Sequence, residues 1–173
     1  LYGKSMDKIK VLVLSHSYTI RTYRKKFALI SKNPDIELRI VTPSKWYENF
    51  QELEFHSDGN SYCQEFSAPI LFSGYGSRFF YYRDIVTHFK DFRPDIIHLE
   101  EEAWSLNAFQ VLLLKKSFCA SSKFIFRTSL SADIKQRFSF LPFLIEKLVF
   151  KETDVAFPLS AKAGQILRKR GYY

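Results

Sequence analysis

Three consecutive carboxylates, Glu100, Glu101 and Glu102, follow a short apolar run at residues 96–99. Carboxylates at the end of a strand can hydrogen-bond sugar hydroxyls or act as a general base on a hydroxyl. In open α/β sheets, ligands bind at the carboxyl ends of the strands. The competing interpretation is that acids at the start of a helix only complement its dipole. We take all three glutamates as candidate catalytic residues.

Two other strand ends carry candidate substrate-binding side chains. The polar turn after residues 9–14 contains Ser15, His16 and Tyr18, and the run that begins at residue 123 is followed by Arg127 and Ser129. An arginine at this edge could hold a phosphate, and His16 could contact a phosphate or a sugar. The alternatives are a surface ion pair for Arg127 and a structural role for His16.

Both tryptophans are also candidates for substrate contact. Trp104 could stack on a sugar face. If Ser105 caps the following helix, however, Trp104 and Phe109 have the spacing of a hydrophobic staple. Trp46 stands in a polar stretch at residues 44–49 that we predict to be irregular. It could stack on substrate or only fix a loop.

The elements that position these residues alternate between strands and helices. We predict strands at 9–14, 36–42, 96–99, 123–126 and 154–159, and helices at 21–32, 78–92, 106–118, 138–151 and after Ser160 as far as Gly171. A hairpin is predicted between 50–56 and 61–66. In helix 21–32, Tyr23, Phe27 and Ile30 should face the core, opposite Arg24 and other basic residues.

This alternation predicts an α/β fold: a doubly wound, mostly parallel Rossmann-like sheet with helices on both faces. In the common strand order, the strands at 9–14 and 96–99 are neighbours at the point where the order reverses. The turns 15–19 and 100–105 would then face each other across one crevice.

The whole chain excludes several classes of function. With 173 residues and 46% apolar content, it should form one globular domain. The first turn lacks the glycines of a dinucleotide site, and the sequence contains no P-loop, HExxH or GxSxG motif. We therefore expect no NAD enzyme, ATPase or serine hydrolase, and the two cysteines show no metal-binding spacing.

Location and processing can also be predicted from the sequence. We find neither a signal peptide nor an apolar run of about 18 residues that could span a membrane. The cysteines should be free thiols in a reducing compartment. We expect a cytoplasmic protein, with Met6 as its native start and residues 1–5 as an added remnant. The domain would then comprise residues 6–173.

Residues 93–106, Arg-Pro-Asp-Ile-Ile-His-Leu-Glu-Glu-Glu-Ala-Trp-Ser-Leu, resemble the "rPDvvH-EEEpWS" signature in the amino-terminal domain of some family-4 glycosyltransferases. Residues 41–48 are similar to the "TPpRWrE" segment after the second strand of that domain. Residues 140–150 resemble its "iEr-vl" helix, and residues 154–172 resemble its closing "aDaaia-s-ea-evLr-kGy" segment. The resemblance covers nearly the whole chain.

The resemblance implies one half of a GT-B architecture. The domain would bind the acceptor for a retaining, hexosyltransferase-type enzyme that moves a sugar from a nucleotide-sugar donor to a hydroxyl of a carbohydrate or lipid-linked acceptor. No metal or other cofactor is implied. The donor would be held mainly by a second domain with an E-x7-E motif, which is not found here, so this chain alone should be inactive. Residues 127–130 depart from the "TWQN" or histidine of relatives.

Two alternatives remain open. The net charge of +8 suits an anionic partner. The basic helix 21–32 and the aromatic stretch 71–82 could lie on an anionic membrane, which would make the domain a non-catalytic binding module for membrane or polyanion, or a peripheral protein at the inner face of the cell membrane. We expect no nucleic acid as partner. A weaker alternative is an unrelated Rossmann-like enzyme for a phosphorylated metabolite.

Overall fold

The computed structural model describes residues 8–59, 63–130 and 140–173. The strands in these ranges are β1 (Ile9–Leu14), β2 (Ile36–Pro43), β3 (Lys45–Glu48), β4 (Gln51–Glu54), β5 (Gln64–Ala68), β6 (Ile70–Leu71), β7 (Phe80–Tyr81), β8 (Ile96–Leu99), β9 (Lys123–Thr128) and β10 (Val155–Pro158). The α-helices are α1 (Arg21–Ile30), α2 (Val86–Lys90), α3 (Leu106–Phe118), α4 (Phe140–Glu152) and α5 (Ala161–Lys169). The remnant and start predicted at residues 1–6 lie outside the described residues.

Six strands form one parallel sheet in the order β10-β9-β8-β1-β2-β5. The chain runs outward from β1 in one direction and then outward from β8 in the other, so the order reverses between these two strands. Helix α1 packs on one face through Phe27, and α2, α3 and α4 pack on the other through Phe89, Val111 and Ile145. The predicted doubly wound fold and its switch point are confirmed.

The hairpin predicted around residue 59 is wrong. The segment β4 instead pairs antiparallel with β3, with Trp46 opposite Leu53, and β5 is an edge strand parallel to β2. Asn49 and Phe50 form the tight turn, with φ of 52° and 62°. Positive φ at both positions is the geometry of a tight hairpin turn, but the sequence offers no glycine there to reveal it. Trp46 therefore lies on a strand, not in an irregular stretch.

The long helix predicted at 78–92 is also wrong over its first third. Residues 80–81 form β7, which pairs antiparallel with β6. The side-chain amide of Gln110 bonds to both the N–H and the carbonyl of Tyr81, at 2.9 and 2.8 Å. This bidentate contact from α3 holds the backbone extended, so the α-helix begins only at Val86. Tyr82, within the predicted helix, is 45% exposed.

Helix α1 faces the sheet differently from its predicted orientation. Phe27 is buried as predicted, whereas Tyr23 and Ile30 are exposed and Arg24 is 2% exposed. The Arg24 guanidinium donates to Glu65 and Asp58 and to three backbone carbonyls, those of Tyr18, Thr19 and His56. These partners replace the water lost on burial, which is why an arginine is tolerated there.

Two smaller sequence inferences can be checked in the same structure. Cys63 and Cys119 are free thiols, as predicted, and both are buried. Among the described residues, no helix combines the length and apolar character needed to cross a bilayer.

We expect Arg24→Met to lower the free energy of unfolding by about 3–5 kcal/mol, because it leaves the Glu65 carboxylate buried without its cation. Urea unfolding followed by circular dichroism measures this. The control is Lys25→Ala on the exposed side of the same helix, which should change stability by less than about 0.5 kcal/mol. Equal effects of the two substitutions would contradict the structural role of Arg24.

Candidate functional site

Parallel pairing of β1 with β8 brings the two predicted turns together. The register places Leu14 opposite Leu99, and the Glu100 N–H donates to the Leu14 carbonyl at 2.9 Å. The Ser15 hydroxyl donates to the Glu100 carbonyl at 3.0 Å and accepts from the Ser17 N–H. Ser15 therefore caps the short 3-10 helix His16–Thr19 and joins it to the acidic turn.

His16 and Glu101 form a close pair across this junction. One carboxylate oxygen of Glu101 accepts from both the backbone N–H and the Nδ1 of His16, each at 2.7 Å. The Glu101 side chain is 3% exposed. Burial disfavours a charged imidazole, but the Glu101 carboxylate outweighs it, so the pKa of His16 is raised above its ordinary value. Because Glu101 occupies Nδ1, Nε2 is the ring nitrogen left for a ligand.

Glu100 is held by two cations from different elements. Its carboxylate accepts from the Lys26 ammonium on α1 at 2.7 Å and from the Arg127 guanidinium at the end of β9. Burial disfavours the charged carboxylate, but the Lys26 ammonium and neighbouring groups outweigh it, so the pKa of Glu100 lies below its ordinary value. The ion pair predicted as an alternative for Arg127 is thus present, inside the cleft.

Glu102 has neutral partners instead. Its carboxylate accepts from the Thr128 hydroxyl at 2.6 Å and from the Ser129 N–H at 3.3 Å. Burial, supported by the nearby Glu101 charge, raises the pKa of Glu102 despite these hydrogen bonds. A raised pKa makes Glu102 a stronger proton acceptor than an exposed carboxylate.

The three glutamates line an open cleft of about 600 Å³ at the carboxyl edge of the sheet. Its other lining residues come from the first turn, a loop before β7, the acidic turn itself, the end of β9 and the end of β10: His16, Ser17, Gly76, Ser77, Trp104, Arg127, Ser129 and Leu159. Most of the predicted site residues therefore line this one cleft. No cluster of His, Cys, Asp or Glu suited to a metal occurs among the described residues.

Three predicted substrate-binding residues do not line this cleft. Ser15 is 1% exposed, and its hydroxyl caps the first turn and does not face the cleft. Trp46, 4% exposed, packs on the His16 ring at a centroid distance of 4.4 Å and so supports that side chain from behind. Tyr18 lines an adjoining depression with Lys26 and Arg127, and burial followed by the Glu100 charge raises the pKa of its phenol. Substrate contact by Ser15 and Trp46 would require the cleft to rearrange.

Trp104 lines the cleft, but it does not form the predicted staple. Its ring packs with Leu130, Ala163 and Ile166, and the Arg170 guanidinium lies 5.1 Å from its centroid. Phe109 is partly buried and packs against the main core, a different cluster from the one that Trp104 contacts. Ser105 nonetheless caps α3 as predicted, with its hydroxyl accepting from the Ala108 N–H at 3.0 Å.

The loop at residues 72–77 closes one side of the cleft through Gly76 and Ser77, and the sequence did not connect this loop with the site. The Tyr47 N–H donates to the Ser73 hydroxyl at 2.9 Å, and a Cβ on Gly74 would stand 2.9 Å from the Tyr47 carbonyl oxygen. Glycine at this position, with φ of 83°, lets the loop lie against β3. The two glycines Gly74 and Gly76 were the features of the sequence that could have indicated a close approach of this loop to another strand. Lys26 was also missed, because the helical pattern of residues 21–32 gave no sign that one of its lysines reaches the acidic turn.

Comparison with known proteins gives a fold and no family. No protein-family model matches the sequence, and no curated protein matches it. A solved UDP-N-acetylglucosamine 2-epimerase superposes with a TM-score of 0.59 at 17% identity, covering 96% of this chain and 46% of that one. A Listeria monocytogenes protein assigned the same activity gives 0.56 at 13% identity, covering 97% and 44%.

The chain has one half of a GT-B-like fold. It spans about half the length of these two structures, and identity this low establishes the shared fold alone. The predicted Rossmann-like half-domain is therefore confirmed. The finer assignment to family-4 glycosyltransferases stays a prediction, because both structures are described as epimerases.

The His16–Glu101 pair predicts a measurable titration. The pKa of His16 should exceed the usual value of about 6.5, and Glu101→Gln should bring it below that value, because burial then acts without the opposing carboxylate. Histidine NMR signals followed against pH report this. The stabilisation from the pair is complete below the unfolded pKa and disappears as pH rises through the raised folded pKa.

Glu102→Gln is the matched control, because Glu102 bonds to Thr128 and Ser129 and not to His16. That substitution should leave the His16 titration within a few tenths of a unit. An unchanged His16 pKa in the Glu101→Gln variant would show that the pair does not control the imidazole.

Proposed function

We propose that this domain is the acceptor-side half of a retaining glycosyltransferase with GT-B architecture. The observation that carries the proposal is the convergence of three consecutive glutamates with His16 and Arg127 in one open cleft at the switch point of the sheet. Ligands of open α/β sheets bind at such points. The resemblance of residues 93–106 to the acidic signature of family-4 enzymes, and the half-length fold match, support the same interpretation.

The cleft suits a polyhydroxylated acceptor. Carboxylate oxygens accept hydrogen bonds from hydroxyls, while the exposed parts of Arg127 and Ser129 can donate to ring and hydroxyl oxygens. Glu102, with its raised pKa, is the carboxylate best suited to take a proton from an acceptor hydroxyl. Glu101 positions His16, and Glu100 positions Arg127 and Lys26. The nucleotide-sugar donor would bind mainly to a second domain facing this cleft.

A second candidate is a nucleotide-sugar epimerase, favoured by the two structures that share the fold. The two reactions differ in what they consume. A transferase needs a separate acceptor and releases the nucleotide, whereas an epimerase converts a nucleotide sugar without an acceptor. Nucleotide release that depends on an acceptor therefore separates them. The non-catalytic alternative predicts salt-sensitive binding to polyanions with no dependence on sugars.

Each glutamate can be tested in a protein that joins this domain to a donor-binding domain. Glu102→Gln should lower kcat by about a hundredfold or more, the usual scale for losing a general base. Glu100→Gln and Glu101→Gln should lower kcat/KM, because they release Arg127 and His16. Coupled detection of released nucleotide measures the rates.

Glu52→Gln is the control for these variants, since Glu52 is an exposed carboxylate on β4 and is absent from the cleft lining. It should keep the parental rate. Full activity in all three cleft variants would reduce the acidic turn to a helix cap.

Residues 6–173 alone should turn over no nucleotide sugar, because the proposed donor site belongs to a second domain. Incubation of the purified chain with labelled nucleotide sugars and acceptors, followed by chromatography, checks this. Added donor-binding domain provides the positive control. Turnover by the chain alone would refute the assignment as a half-enzyme.

A further inference from the structure

The outward face of α4 is unusually apolar for a surface helix. Its exposed side chains are Phe140, Leu141, Phe143, Leu144 and Leu148, with exposed fractions of 79%, 55%, 53%, 41% and 37%. The opposite side of the helix buries Ile145, Val149 and Phe150 in the main core. Soluble monomers rarely expose so many large apolar side chains together, and such patches mark interaction surfaces.

The charges on this face are positive. Lys151 is exposed, whereas Lys147 is half-buried and its ammonium donates to the Arg170 carbonyl. Both lie among the exposed apolar residues at helical spacing. The two carboxylates of α4 are engaged elsewhere: Glu146 is buried against Arg170 at 2.8 Å, and Glu152 binds Lys116 at 2.7 Å. The face thus combines aromatic and leucine side chains with lysines and offers no unpaired carboxylate.

One end of this face lies on the same edge of the sheet as the cleft. The thirteen residues of α4 span about 20 Å, the length of the strands beneath. The helix ends at Glu152, just before Asp154 donates its N–H to the carbonyl of Phe124 near the start of β9. Its first residue, Phe140, is therefore at the opposite, carboxyl edge of the sheet.

We propose that the outward face of α4 binds the interface of an anionic lipid bilayer. Interfacial helices bury aromatic and leucine side chains at the boundary between head groups and acyl chains, and their lysines attract anionic lipids. A purely apolar protein partner would not explain why this face carries lysines but no unpaired carboxylate. The inference does not rest on the proposed reaction, and it places the cleft edge beside the membrane.

Two other surfaces were candidates for lipid binding from the sequence. Helix α1 exposes only Tyr23, Leu29 and Ile30 among its large apolar residues, and two of its cations, Arg21 and Lys26, are paired with carboxylates. The stretch 71–82 buries Phe79 and Tyr81, and its exposed large apolar side chains are Phe72, Tyr75 and Tyr82. Both surfaces therefore expose fewer large apolar side chains than α4 does.

Co-sedimentation of the full chain with vesicles tests the proposal. Vesicles of phosphatidylglycerol and phosphatidylcholine should bind the protein, and added salt should weaken that binding. The variant Phe140→Ser/Phe143→Ser should lower the partition coefficient by roughly tenfold or more, because two aromatic side chains no longer leave water. Lys151→Glu should weaken binding to the anionic vesicles and leave binding to pure phosphatidylcholine unchanged.

Leu29→Ser on α1 is the matched control, since Leu29 is 67% exposed, and it should bind as the parent does. Circular dichroism and urea unfolding confirm that all variants fold. Three results would overturn the proposal: no binding of the parent to anionic vesicles, a loss with Leu29→Ser equal to that of the α4 variant, or a concentration-dependent dimer that the α4 substitutions abolish. The last result would assign the face to a second copy of the chain.

Discussion

The parallel pairing of β1 with β8 is the constraint on which the candidate site depends. Its register puts residues 15 and 16 beside residues 100 and 101, and the bond from Glu100 N–H to the Leu14 carbonyl continues the ladder into the turn. Because side chains alternate between faces of a strand, a shift by one residue would invert every contact beyond it. The buried apolar residues of both strands prevent that shift, so the core also fixes the position of His16 relative to Glu101.

Three adjacent glutamates acquire different chemical properties from this arrangement. Glu100 contacts cations from α1 and β9, which lowers its pKa against the effect of burial. Glu101 is the partner of His16. Glu102 reaches hydroxyl and amide groups at the end of β9, where burial dominates and its pKa rises. Three identical residues thus differ in their surroundings, because neighbouring elements present cations to Glu100, an imidazole to Glu101 and neutral donors to Glu102.

The sequence predicted the sheet well because its central strands, β1 and β8, are mostly apolar and are bounded by polar turns. It predicted the acidic turn and the facing first turn for the same reason. It failed at Arg24, because periodicity assigns charged residues to solvent, whereas the partners that permit its burial, Glu65 and Asp58, lie 41 and 34 residues away. It also failed at β3, where a hairpin turn without glycine joins the strand to β4. It failed at β7 as well, where the side chain of the distant Gln110 holds the backbone extended. Contacts that are remote in sequence leave no local signal.

The distribution of charge bears on what the cleft can bind. The chain carries a net charge of +8, which invites the expectation of a phosphate or polyanion site. Yet the cations of the cleft are matched: Lys26 and Arg127 both bind Glu100, and His16 binds Glu101. A polyanion entering there would have to compete with these carboxylates, whereas neutral hydroxyl groups could bind without displacing them. Among the described residues, cations such as Lys25 and Lys151 are exposed away from the cleft. The net charge therefore does not by itself indicate a polyanion site in the cleft.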